Sequence, residues 1–211
     1  MKGKGSDFFW PSFTDLMTSL FFIMLVLYVL TYLKLTNQKK ATELQLREIK
    51  KIQDAVKALP KEYFIYDPVN QRYKLNLNVN FLSNSANIYD LDSKTREDLF
   101  EAGKSILTLM KNLNKTNNSV SYLLVIEGNT QRSKDNYINM PDVGYKKSYE
   151  RSLSLVNYWQ RMGLEFKKIN NCELMIVGSG YFGKSRELNE DENRKFTIQI
   201  TPKIGEVKLD L

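Results

Sequence analysis

The chain has 211 residues and a formal charge of +7, with 31 Lys and Arg against 24 Asp and Glu. It has no histidine and one cysteine, Cys172, which removes zinc sites, Cys/His nucleophile pairs and Ser-His-Asp triads, and no intrachain disulfide can form. The basic residues are spread along the chain with acids interleaved, the pattern of a solvated surface and not of a nucleic-acid footprint. The length allows one modest soluble domain plus extras.

The first element is apolar. From Leu16 to Leu33 there are 18 residues without a charge, and only Thr18, Ser19 and Thr31 are clearly polar. At about 1.5 Å per residue this comes close to the ~30 Å of a bilayer core. It is too long for a signal-peptide core and no small-x-small cleavage site follows, so it is expected to be a retained transmembrane helix. Phe8, Phe9 and Trp10 at one end and Tyr28 and Tyr32 at the other fit interfacial belts. Lys2 and Lys4 precede the span, whereas Lys34, Lys39, Lys40, Arg47, Lys50 and Lys51 follow it. A bare count of positive charges therefore favours a cytoplasmic C-terminal side.

Next, Leu35, Thr42, Ile49 and Val56 repeat every seven residues, with Ile52 and Leu59 at the offset of three. This predicts an amphipathic helix ended by Pro60, used either as a short parallel coiled coil or to pack on the following domain. A soluble domain begins near Lys61. Two strands flank an Asp67-Pro68-Val69-Asn70 turn, and Tyr73, Leu75, Leu77, Val79 and Phe81 alternate as one buried face. Leu99, Ala102, Ile106, Met110 and Leu113 predict a helix over 93–113. "SYLLVIEG" is a nearly continuous apolar run, as for a strand covered on both faces or central in a sheet. A polar loop follows, then a second helix marked by Tyr149, Leu153, Val156 and Trp159 and closed by Gly163. "ELMIVG", with Cys172 near its start, and "KFTIQI" are the last strands. The order is β-β-α-β-α-β-β, an α+β two-layer sandwich with a mixed sheet.

"GSGYFGKS", Gly178 to Ser185, matches a phosphate-binding loop in letters. The chemistry also needs a following helix whose free N–H groups hold the phosphates. Here "RELNEDENRK" follows, polar throughout, and no apolar strand ends in a magnesium-binding Asp. The stretch is expected to be a glycine-rich turn.

Two regions resemble a known family. "WPSFTDLMTSLFF" is similar to the transmembrane signature of the flagellar stator B subunit, MotB. The soluble part resembles the OmpA-like peptidoglycan-binding domain: "FLSNSANI" (Phe81–Ile88), "VIEGNT" (Val125–Thr130), "SYERS" (Ser148–Ser152), "GSGYFG" and "NRKFTI" (Asn193–Ile198) follow its motifs in order. The compact layout looks closer to the B subunit of the Zorya anti-phage motor, ZorB, than to flagellar subunits. The resemblance implies a cytoplasmic tail at 1–10, a transmembrane helix at 11–33, an amphipathic linker helix at 34–60, an OmpA-like periplasmic domain at 61–204 and a tail at 205–211. It overrides the charge count, because a wall-binding domain must lie outside the inner membrane.

By the same resemblance Arg151 matches the arginine that pairs with a carboxylate of the peptidoglycan stem peptide. Asn129, Thr130 and Gln131 stand in the family's His-Thr-Asp. A neutral Gln131 cannot supply the charge with which the family's Asp holds the peptide ammonium; Asp135 and Asp142 are candidate substitutes.

Asp15 has two readings. Ser12-Phe13-Thr14-Asp15 fits a capping box, with the acid favoured by the helix dipole. Alternatively Asp15 is the ion carrier, as charged groups inside spans often are; the resemblance favours this, with Thr18 and Ser19 as hydroxyls on the same face. The implied protein is not an enzyme and needs no cofactor beyond the translocated H+ or Na+. It is the B subunit of an ion-driven stator, a homodimer within a ring of five multi-span A subunits, anchored to peptidoglycan and independent of nucleic acid. The alternative is a static OmpA-like peptidoglycan anchor.

Overall fold

The computed structural model describes residues 9–70, 72–77, 79, 81–82, 85–116, 120–133 and 136–203. The expectations for Lys2, Lys4, Phe8, Asp135 and the tail at 205–211 lie outside the described residues. The chain falls into two units, divided between Arg47 and Glu48.

The first unit is helical. Helix α1 runs from Phe9 to Val56, so its last turns belong to the second unit. Pro11 falls in the first turn, where a missing N–H costs no helical hydrogen bond. No glycine or proline follows until Pro60. Residues 13–35 are exposed, including Leu20, Phe21, Phe22, Ile23, Met24 and Leu30. An all-round apolar surface of this length is what a bilayer solvates.

The second unit holds β1 (Phe64–Asp67), β2 (Arg72–Leu75), α2 (Ser93–Thr116), β3 (Tyr122–Gly128), the short α3 (Asn136–Asn139), α4 (Pro141–Arg161), β4 (Cys172–Gly178) and β5 (Phe196–Pro202). The sheet order is β1-β2-β5-β3-β4. β3 is parallel to β4 and antiparallel to β5, so the sheet is mixed, as expected. "YLLVIEG" is an interior strand, flanked by β5 and β4, with Tyr122, Leu124 and Ile126 buried and the intervening side chains half-buried. Facing them are Leu99, Ala102, Ile106 and Met110 of α2 and Leu155, Val156 and Trp159 of α4. The Trp159 indole N–H donates to the Leu99 carbonyl at 2.8 Å. Gly103 makes room for the ring: a Cβ there would stand 2.5 Å from Trp159 Nε1.

Three expectations change. First, β2 ends at Leu75, although Val79 and Phe81 remain buried beyond the hydrogen-bonded ladder. Second, α4 starts at Pro141, whose ring presets the helical φ and whose missing N–H is not needed at a helix start. Tyr149 is exposed and Leu153 only half-buried, while Ser148 and Ser152 are fully buried. Small residues face the sheet because α4 lies almost on the strand backbone. A Cβ on Gly128 would stand 2.1 Å from the Ser148 carbonyl oxygen, and one on Gly178 would stand 2.5 Å from Ser148 Oγ.

The third concerns the heptad. Ile52, Val56 and Leu59 are buried in the domain core, Ile49 is half-buried, and Leu35 and Thr42 are exposed. Packing on the domain therefore claims the C-terminal part of the stripe. Ile52, Val56 and Leu59 cannot also complete a coiled-coil seam while the domain keeps this core.

The chain leaves β4 through Gly180, at φ +57°, into turns, and the next helical residues are the single 3-10 turn Glu190–Asn193. With no helix N-terminus after "GSGYFGKS", there is no phosphate cradle, as the polar continuation implied.

Candidate functional site

The site is built where α4 meets the ends of β3 and β4. Ser152 Oγ donates to the Val177 carbonyl at 2.9 Å, and Ser148 Oγ accepts from the Gly180 N–H at 2.8 Å. These bonds lock the rotation of α4 and so set the direction of Arg151, which lies between the two serines in sequence.

Arg151 is only 6% exposed. Its Nε donates to the Ser85 carbonyl at 3.2 Å and its Nη1 to the Asn129 carbonyl at 3.5 Å. The guanidinium carbon lies 4.8 Å from the centroid of the Phe81 ring, a cation–π distance. Among the described residues no carboxylate pairs with it. Burial, followed by the nearby Arg194 cation, pushes its pKa down to about 10. The group stays charged at neutral pH and retains an uncompensated positive charge.

Arg194 donates from Nε to Gln131 Oε1 at 2.7 Å and from Nη1 to the Phe81 carbonyl at 3.4 Å. Gln131 in turn donates from Nε2 to Asp191 Oδ1 at 2.7 Å. Asp191 sits on the Glu190–Asn193 turn, where the Asn189 side chain accepts from its N–H. Phe81, Arg151, Arg194, Gln131 and Asp191 thus form one contiguous set.

Asn129 and Thr130 have other work. Asn129 is 3% exposed; its Oδ1 accepts from Ser179 Oγ at 2.7 Å, and its N–H donates to the Lys195 carbonyl at 3.0 Å. Thr130 is 4% exposed; its N–H donates to the Gly180 carbonyl and its own carbonyl accepts from Arg186. Both fasten the 178–195 loop to the end of β3. Asp142 is exposed in the first turn of α4. It is nine residues before Arg151, roughly 13 Å along a helix, and outside this set. Asp135 lies outside the described residues.

Sequence reading missed Arg194 and Asp191 as individual groups. Arg194 was visible inside "NRKFTI". Asp191 lay in a stretch that read only as polar, because its pairing with Gln131 bridges 60 positions.

In α1, Asp15 is exposed and stands in the second turn, since the helix is already formed at Phe9. The capping-box reading of Ser12 and Asp15 is therefore corrected: Ser12 already lies within the helix and is not its N-cap. Thr18 Oγ1 donates to the Thr14 carbonyl at 2.7 Å and Ser19 Oγ to the Leu16 carbonyl at 2.9 Å. In the single chain both hydroxyls are bound to their own helix, the usual way such groups are satisfied in apolar surroundings.

No family model matches the chain, and no curated protein matches it. Among solved structures it is similar to a putative MotB-like protein from Desulfovibrio vulgaris, at 14% identity, covering 79% of this chain and 99% of that one with a TM-score of 0.41. A periplasmic domain of Helicobacter pylori MotB is similar at 13% identity, 71% and 85% coverage and a TM-score of 0.45. The peptidoglycan-associated lipoprotein from Burkholderia pseudomallei is similar at 15% identity, 58% and 88% coverage and a TM-score of 0.36. Among the described residues the chain has one helix, near the N-terminus, long and apolar enough to cross a membrane, and an α/β domain with a mixed five-stranded sheet.

Proposed function

We propose that this MotB/OmpA-like chain is a membrane-anchored protein whose domain binds peptidoglycan. The observation that carries the reading is Arg151, a nearly buried cation held by two backbone carbonyls and an aromatic ring, with no carboxylate paired to it among the described residues. Leaving a buried charge unpaired is costly. A stem-peptide carboxylate offers the missing charge in a geometry the planar guanidinium matches.

The chain would then be an inner-membrane protein with a cytoplasmic N-terminus and a periplasmic domain. In the fuller form of the reading it is the B subunit of an ion-driven stator of flagellar or Zorya type, a homodimer inside a ring of five A subunits. Asp15 carries the ion, a proton in preference to sodium. One helix leaves Asp15 open to lipid, at a cost of roughly 2.5–3.5 kcal/mol at mid-bilayer. Partner helices remove that cost by taking the Asp15 carboxylate out of contact with lipid.

The test is co-sedimentation of the detergent-solubilised chain with purified sacculi. Arg151→Ala should weaken it by roughly tenfold or more, matching the loss of a charge-assisted pair worth about 1.5–3 kcal/mol. A wild-type chain that stays in the supernatant would remove the wall as its ligand.

A further inference from the structure

We propose that the open edge of β4 is where the domains of two copies of this chain join, antiparallel about a two-fold axis at Met175, so that their sheets become one continuous sheet. This rests on the homodimer reading and names the domain surface that carries it.

The sheet has two edges, β1 and β4. β1 is four residues long, whereas β4 has seven and is matched by β3 along its whole length. The Tyr122 N–H donates to the Asn171 carbonyl, and the Ser179 N–H to the Gly128 carbonyl. In a parallel ladder the two backbone groups of a residue turn to one side, and those of the next residue turn to the other. Glu173, Met175 and Val177 therefore serve β3, while Leu174 and Ile176 offer their N–H and C=O groups to the open side. Native sheets blunt such an edge with lysine, proline, a bulge or a covering segment. β4 contains no Lys or Pro, and its register with β3 runs without a bulge.

The edge is complementary to itself. Pairing about Met175 sets Leu174 against Ile176 of the second copy, the two residues whose backbone groups face outward, and each such pair exchanges two hydrogen bonds. Met175, 42% exposed, meets Met175 of the second copy. Glu173 falls opposite Val177 of the second copy, so no like charges meet, and its carboxylate is already paired with Lys203. The side chains of Leu174 and Ile176 are only half-buried, although Leu124 and Ile126 beside them in β3 are fully buried. On this face a groove of about 220 Å³, with Val156, Leu164, Phe166 and Leu174 in its wall, opens next to Leu174. Ile176 of the second copy, the neighbour of Leu174 in this register, fills it.

The experiment is disulfide trapping of the full chain in membranes, in a Cys172→Ala background under mild oxidant. Across a two-fold at position 175 the Cα atoms stand about 4.5 Å apart, within the span of a disulfide. Met175→Cys should therefore link to its copy roughly tenfold or more faster than Met162→Cys, which is 48% exposed at the end of α4. Glu173→Cys alone should not link, but Glu173→Cys and Val177→Cys on separately tagged, co-expressed chains should link to each other. Adding Met175→Lys sets two ammonium groups face to face; it should abolish that link and leave the thermal midpoint unchanged, because the position is exposed. Met175→Cys no faster than Met162→Cys, equal linking by Glu173→Cys alone, or a disulfide from Met175→Cys to a different protein overturns the inference. Leu35→Cys reports the homodimer independently: if it links while Met175→Cys does not, the homodimer stands and the β4 edge is excluded, and if neither links, both fall.

Discussion

Gly128 and Ser148 meet backbone to backbone: a Cβ on Gly128 would stand 2.1 Å from the Ser148 carbonyl oxygen. That oxygen belongs to a helix and cannot swing aside. Gly128→Ala must push α4 off the sheet, and overpacking of this kind costs about 1–3 kcal/mol. The expected outcome is a lower midpoint in denaturant with an unchanged m-value, together with weaker sacculus binding, because Arg151 rides on α4. An unchanged midpoint would mean that α4 can shift without loss.

The hairpin turn predicts a pH dependence. Asp67 is 8% exposed; burial alone would raise its pKa, but hydrogen bonds from Asn70 and the Lys74 cation outweigh burial and hold it below the usual carboxylate range. Glu187 is lowered as well, by hydrogen bonds from Lys195 and Lys74. A folded pKa below the unfolded value stabilises at pH above the unfolded value, about 3.9 for Asp, and that stabilisation fades as pH falls further. Thermal midpoints of wild type and Asp67→Asn should differ at pH 7, and the difference should begin to shrink only below about pH 3.9 and close as pH falls through the lower folded value. Parallel curves across that range would remove Asp67 as the cause.

Asp15 is predicted to matter for transport and not for assembly. Asp15→Asn keeps the size of the side chain but cannot cycle a charge, so ion-driven output should vanish at normal expression and normal complex mass. Asp15→Glu should retain part of it. Wild-type output from Asp15→Asn would favour the static anchor.

On the homodimer reading proposed above, the division of the heptad predicts which part of the helix pairs two copies. Leu35 is 62% exposed and Ile52 is 4% exposed. In a Cys172→Ala background, Leu35→Cys should crosslink between copies in membranes under mild oxidant, and Ile52→Cys should not. Ile52→Ala should instead destabilise the domain, by about 2–5 kcal/mol for a large-to-small core change. Efficient crosslinking at position 52 would mean that the helix leaves the domain in the assembled state.

Much of this protein was legible from local pattern. The apolar run at 16–33, the alternation of Tyr73 to Phe81 and of β5, the nearly continuous apolar run of β3, the helical spacing of Leu99 to Leu113 and the polar stretch after "GSGYFGKS" each carry their signal within a few residues, and the element order followed from them. Arg151 was also visible, as a motif position. Its state was not, because that is set by Ser85, Phe81 and Asn129, which lie 66, 70 and 22 positions away in the chain. The tertiary structure likewise decided the fate of the heptad stripe: a coiled coil and a domain face ask for the same apolar residues at the same spacing, and only the position of the core shows which claims Ile52 and Val56. It decided the face of α4 too, where Ser148 and Ser152 displace Tyr149 and Leu153 from the sheet because two glycines bring the backbones too close for larger side chains. Asp191 entered the site the same way. A charged residue in a polar loop carries no periodic signal, and its role depends on a hydrogen bond to Gln131 that forms only when the chain brings two distant segments together.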